Sequence, residues 1–159
     1  MQGVQTRREW LVKTASIVSG ACLAGSTVSR AGTAAVAVAR CRTYGAELLP
    51  TLRRMFDQLG GLRRLVKGKS VAIKINLTGS PSYRVGYLPL GDTHYTSPQV
   101  IAATVHLMGK AGAKRIRLLE SCWSTADPIE EYLLQAGWEP QEILRAAPNV
   151  EFENTNYLG

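Results

Sequence analysis

From Ala34 onward, segments with a strand-like hydrophobic period and segments with a helical one take turns along the chain. That alternation restricts the fold more than any single motif does. The clearest strand pattern is Val71-Ala72-Ile73-Lys74-Ile75-Asn76-Leu77. Its odd-numbered members are all aliphatic, and Ala72, Lys74 and Asn76 point the other way. A short run with alternating valines, Ala34 to Arg40, reads as an earlier strand, and Arg115 to Glu120 and Val150 to Phe152 as later ones. Between them, Glu47 to Leu59 places Leu48, Leu52, Met55, Phe56 and Leu59 on one helical face, and Gly60-Gly61 ends it. Ser97-Pro98 is a helix start, with Ser97 as cap and Thr96/Gln99 as an alternative capping box. Val100, Thr104, Leu107, Met108 and Ala111 are expected on its buried face, and Gly112 closes it. Asp127-Pro128-Ile129-Glu130 opens another helix, with Ile129, Leu133 and Ala136 facing inward and Gly137 as terminator. A short helical piece is expected near 141–145. The expected fold is therefore α/β, a layered α/β/α domain with a largely parallel sheet. The sequence stops at Asn156-Tyr157-Leu158-Gly159 without a closing helix or polar tail, so the expectation is a domain truncated at its C-terminal side.

The first residues follow a different logic. Thr6-Arg7-Arg8-Glu9-Trp10-Leu11 and Lys13 precede a mildly apolar run, Thr14 to Ser29, that carries no charge. This is the pattern of a twin-arginine export signal. The run is short for a membrane-spanning helix, which needs about 20 predominantly apolar residues. Small residues place a cleavage after Ala31, with Ser26 as an earlier alternative. Ser19 stands three before Cys22, where a lipoprotein signal wants an aliphatic residue, which argues against lipidation. Residues 1–31 thus read as the signal and 32–159 as the domain. The expected partner is the twin-arginine translocase, engaged through Arg7 and Arg8. The expected location is the periplasm or cell exterior, with membrane contact only through the signal.

Charge narrows the function classes. The formal net charge is +7, and part of it belongs to the signal. The rest concentrates between Arg40 and Lys74 without a recognition helix or aromatic–basic pattern, so nucleic acid is not the expected partner. Of the three cysteines, Cys22 lies in the signal. Cys41 and Cys122 form no Cys-x-x-Cys pair, so this chain carries no motif for an iron–sulfur cluster or structural zinc. Export would permit a Cys41–Cys122 disulfide if the geometry brings them together.

Chemistry is expected at the C-terminal end of strand 71–77. Ligands of open α/β sheets bind at that end of the strands. Lys74 and Asn76 must either be satisfied there or line a site. The connection from Thr78 to Ser97 leaves from the same end, is unusually long, and delivers the chain to a helix N-terminus that favours anions. Lys74, Asn76, Thr96 and Ser97 are therefore the candidate ligand-binding residues for a phosphate or carboxylate. The competing reading pairs Lys74 structurally with Glu120 or lets it snorkel out to solvent. Asp92 and His94 are candidate metal ligands together with Glu120 or Cys122, against a plain solvated or capping role. No phosphate-binding glycine motif singles out a nucleotide, and Ser121 lacks the glycine frame of a hydrolase nucleophile. His106 falls on the polar side of its helix, and Trp123 and Trp138 read as packing residues.

Gly68-Lys69-Ser70-Val71 through Lys74-Ile75-Asn76-Leu77, the Thr96-Ser97-Pro98 helix start, and Gly109-Lys110-Ala111-Gly112-Ala113 leading to Leu118-Leu119-Glu120-Ser121 together resemble the domain of unknown function 362 family. The resemblance runs from Ala34 to Glu153. The family's activity is not established, so it implies a fold rather than a reaction. Some members carry ferredoxin-like iron–sulfur modules, whose cysteine motifs have no counterpart here, and members are longer than this chain. The resemblance thus implies that any metal or cluster would belong to a longer protein. Three functional readings follow: an exported α/β protein, enzyme or not, that binds a small anion or a metal–anion pair at the Lys74 strand end; a non-catalytic protein using the same pocket; and a redox-associated protein whose cluster module lies outside this chain.

Overall fold

A computed structural model describes residues 34–77, 86–88, 94–121 and 128–156. The chain divides after Ala34, and the fold is that of the unit Ala35–Gly159. In chain order the elements are α1 (Leu48–Gln58), α2 (Arg63–Val66), β1 (Ser70–Lys74), α3 (Pro98–Lys110), β2 (Arg115–Glu120), α4 (Ile129–Gln135), α5 (Pro140–Leu144) and β3 (Val150–Asn154). The strands form one parallel sheet in the order β1-β2-β3, with Val71 opposite Ile116 and Leu118 opposite Phe152. The protein is thus α/β with a parallel sheet, as the alternation predicts. The described segment 34–40 departs from expectation. It has no regular secondary structure and joins no sheet among the described residues, and Val36 and Val38 are 80% and 86% exposed. Alternating valines make a strand only where a partner edge accepts them, and none does among the described residues.

One face of the sheet holds the core. Ile73, Ile75, Leu77, Ile116, Leu118 and Phe152 pack there against Ile101 and Val105 of α3, Ile129, Tyr132 and Leu133 of α4, and Ile143 of α5. Each fully buried aliphatic side chain contributes about 1.5–3 kcal/mol from surface removed from water. The opposite face carries Ala72, Lys74, Arg115, Arg117, Leu119, Glu151 and Glu153, all exposed or half-buried. Arg115 pairs with Glu151 at 2.5 Å, and Arg117 makes two hydrogen bonds to Glu153, at 2.6 Å through Nε and 2.5 Å through Nη2. The Glu153 hydrogen bond, and then its charge, hold the Arg117 guanidinium above its ordinary pKa.

Helix α3 is turned relative to its expected buried face. Ile101, Val105 and Leu107 are the buried positions, whereas Val100, Thr104, Met108 and Ala111 are half-buried. The reason is tertiary. The helix packs on the sheet and also touches α1 and α5, so apolar residues occur on more than one flank. The Thr104 hydroxyl donates to the Val100 carbonyl within the helix at 2.7 Å, so its partial burial leaves the hydroxyl satisfied. A Cβ at Gly109 would overlap the Ala147 side chain, so the helix keeps a glycine where the chain after α5 crosses it.

The helix ends follow the expected glycine logic. Gly112 lies at φ 93°, its N–H donates to Gly109 O, and Ala113 N donates to Met108 O. This paired closure uses the left-handed backbone that glycine adopts without strain. Gly137 ends α4 in the same way, at φ 67°, with Trp138 N donating to Leu133 O. Helix starts are less regular. Ser97 occupies the N-cap of α3, but its hydroxyl donates to Gln99 Oε1 at 2.7 Å instead of accepting from the helix. Pro128 caps α4, and Asp127 lies outside the described residues.

Candidate functional site

At the C-terminal end of the sheet, β1, β2 and α3 meet through a set of polar contacts. Glu120, the last residue of β2, is 2% exposed. Its Oε1 accepts from Lys74 Nζ at 2.5 Å and from Ser121 N at 2.8 Å, and its Oε2 accepts from Leu77 N at 2.7 Å. A carboxylate buried to this degree needs such partners, because leaving it bare in the core would cost several kcal/mol. Lys74 also donates to the Ile75 carbonyl at 2.7 Å, while 62% of its side chain stays exposed. An ammonium has three N–H groups. Two are engaged among the described residues, and one remains directed to neither Glu120 nor Ile75.

Asn76 joins this strand end to α3. Thr96 N donates to Asn76 O at 2.9 Å, Asn76 N donates to Thr96 Oγ1 at 3.0 Å, and Asn76 Nδ2 donates to the His94 carbonyl at 2.6 Å. The Thr96 hydroxyl is therefore a strand tether, not half of a capping box. Ser97, 8% exposed, leads into Pro98, and α3 starts without a side-chain cap. Its first-turn N–H groups retain the partial positive charge of a helix N-terminus.

All four candidate ligand-binding residues fall into this connected set. Lys74 and Glu120 form the pair that the competing reading anticipated. The candidate metal ligands are less coherent. Asp92 and Cys122 lie outside the described residues. His94 contributes its backbone carbonyl to Asn76, and both Glu120 oxygens accept N–H donors that a cation would have to displace. Among the described residues no three His, Cys, Asp or Glu side chains form a metal-binding group, and no helix is long and apolar enough to cross a membrane.

Other expectations resolve locally. The Cys41 thiol is free and donates to Thr43 O at 3.1 Å. Trp138 is buried in the core, with no hydrogen-bond partner for its indole N–H among the described residues. His106 is half-buried rather than fully exposed. Trp123 and most of the 78–97 connection fall outside the described residues. The sequence reading missed Gln99 as the acceptor for Ser97, and the Leu77 and Ser121 amides as partners of Glu120. Only the Thr96/Gln99 spacing hinted at the first, and backbone amides leave no signal in side-chain identity. Comparison with family models, with curated proteins and with solved structures returned no match to this chain.

Proposed function

We propose that this is an exported α/β protein that binds a small anion, a phosphate or a carboxylate, at the Lys74 end of its sheet. The observation that supports the reading is the joining of two donors in one hydrogen-bonded unit. The Asn76–Thr96 contacts tie the strand that carries the Lys74 ammonium to the uncapped N-terminus of α3. Glu120 neutralises Lys74 formally, so the attraction for an anion comes from the surplus of N–H donors and from the helix dipole. Lys74 holds the anion through its remaining N–H, the first-turn amides of α3 close the other side, joined by the Ser97 hydroxyl when it turns from Gln99, and Asn76 with Thr96 positions them. A metal–anion pair fits less well, because Glu120 is already occupied by donors. The resemblance to the domain of unknown function 362 family belongs to this proposal and adds no reaction to it. The twin-arginine signal supplies its cellular side, with Arg7 and Arg8 as the contact to the translocase.

Titrating inorganic phosphate and acetate while following thermal unfolding tests the site. A saturable rise in Tm is expected that Lys74→Ala reduces. An unchanged rise in the variant would remove Lys74 from the site. Replacing Arg7 and Arg8 by Lys is expected to stop export, and continued export would sink the signal reading.

A further inference from the structure

A cavity lies at the end of α3 away from the Lys74 strand end. It has a volume of about 270 Å³ and opens between α1, the start of α2 with Gly61 and Leu62 before it, and the last turn of α3. Phe56, Leu62 and Leu107 give it apolar walls, and Leu107 is only 6% exposed. Arg53, Arg63 and Lys110 stand around the same space. Among the described residues, none of these three cations has a carboxylate within 4.0 Å. Asp57 also lines the cavity and leaves a net charge of +2 on its walls. Arg115, Arg117 and Lys74 are each paired. Other exposed cations, such as Arg54 and Arg64, also have no carboxylate within 4.0 Å among the described residues, so what sets these three apart is that they line one cavity.

We infer that this cavity is a binding site for a small organic phosphate monoester, its phosphate held by Arg53, Arg63 and Lys110 and its apolar part set against Phe56, Leu62 and Leu107. Arg53, Arg63 and Lys110, unpaired around one space, match a group that carries close to two negative charges at neutral pH and three acceptor oxygens. Asp57 then disfavours a second anionic group on the ligand. The volume lies just below the range of about 300–1,000 Å³ typical of drug-sized ligands, so the enclosed part of the ligand is a single ring or short chain. The apolar walls distinguish the site from a merely basic surface, where inorganic phosphate would do as well. Such a ligand comes either free or as the head of an anionic lipid. The site is separate from the Lys74 end, since thirteen helical residues span roughly 20 Å.

The test is a titration of the isotope-labelled full chain with phenyl phosphate, followed by backbone amide shifts. Saturable shifts at Phe56, Leu62, Leu107 and Lys110 are expected, with inorganic phosphate at least about tenfold weaker. The triple change Arg53→Gln, Arg63→Gln, Lys110→Gln affects exposed side chains and is expected to weaken binding by at least about tenfold, with Arg63→Gln alone giving an intermediate loss. Shifts confined to Asn76, Thr96 and Ser97 would overturn the inference and leave the Lys74 proposal standing. Equal binding of inorganic and phenyl phosphate, or a triple variant that binds like the parent, would also overturn it. Vesicles containing phosphatidic acid separate the sources. Retention that phenyl phosphate competes away supports a lipid head, and phenyl phosphate binding without vesicle retention supports a free ligand. Vesicle retention that phenyl phosphate leaves unchanged would overturn the cavity as the site.

Discussion

The two faces of the sheet use different chemistry on the same three strands. On one, Ile73, Ile116, Leu118 and Phe152 pack under helices α3, α4 and α5. On the other, Arg115, Arg117, Glu151 and Glu153 pair across β2 and β3. A parallel sheet is ordinarily covered on both faces. Here the second face remains accessible among the described residues and is kept compatible with water by neighbouring opposite charges. The difference assigns stability to the first face and places the second near energetic neutrality, since exposed ion pairs contribute little. Glu120 lies on the boundary between these regimes, a charged group within the apolar face, held there by one ammonium and two amides.

Three substitutions probe that division. Leu118→Ala, at a side chain with no exposed surface, is expected to cost about 2–5 kcal/mol in chemical denaturation, because the cavity adds to the lost transfer energy. A loss below 1 kcal/mol would mean that the helical layer does not seal this face. Glu120→Ala is expected to cost about 2–3 kcal/mol by leaving the Leu77 and Ser121 amides without their acceptor. In Lys74→Ala the two amides still hold the Glu120 carboxylate and water can enter where the exposed ammonium stood, so this variant is expected to cost clearly less than Glu120→Ala. Equal costs would show that the ion pair, not the amide contacts, holds the junction. The smallest effect belongs to the open face. A double-mutant cycle on Arg115→Gln and Glu151→Gln is expected to give a coupling of about 0.2–1 kcal/mol that shrinks in high salt. A larger coupling, insensitive to salt, would mean that this face is covered in solution.

Local chemistry explains which elements were legible in the sequence. Gly112 and Gly137 were readable as helix ends because a left-handed closure demands a particular residue type. The strands β1, β2 and β3 announced themselves by period, although Ile75 and Leu77 continue the pattern of β1 beyond its last ladder residue. What failed depended on partners. Ala34–Arg40 has the composition of a strand but no edge to join among the described residues, and α3 turned its buried face because two other helices flank it. At the candidate site the side chains Lys74, Asn76, Thr96 and Glu120 were visible in sequence. Their connection through Leu77 N, Ser121 N and His94 O was not, because backbone groups are the same at every position. The cavity near Lys110 was foreshadowed only by the basic weight between Arg40 and Lys74.

Leu77 anchored on Glu120, and His94 anchored on Asn76, act as two posts at either end of residues 78–93. The closure entropy of a connection between fixed posts rises only with the logarithm of its length, by about 0.6 kcal/mol per doubling. Lengthening the connection between Leu77 and His94 by a few residues is therefore expected to add little closure cost to the fold.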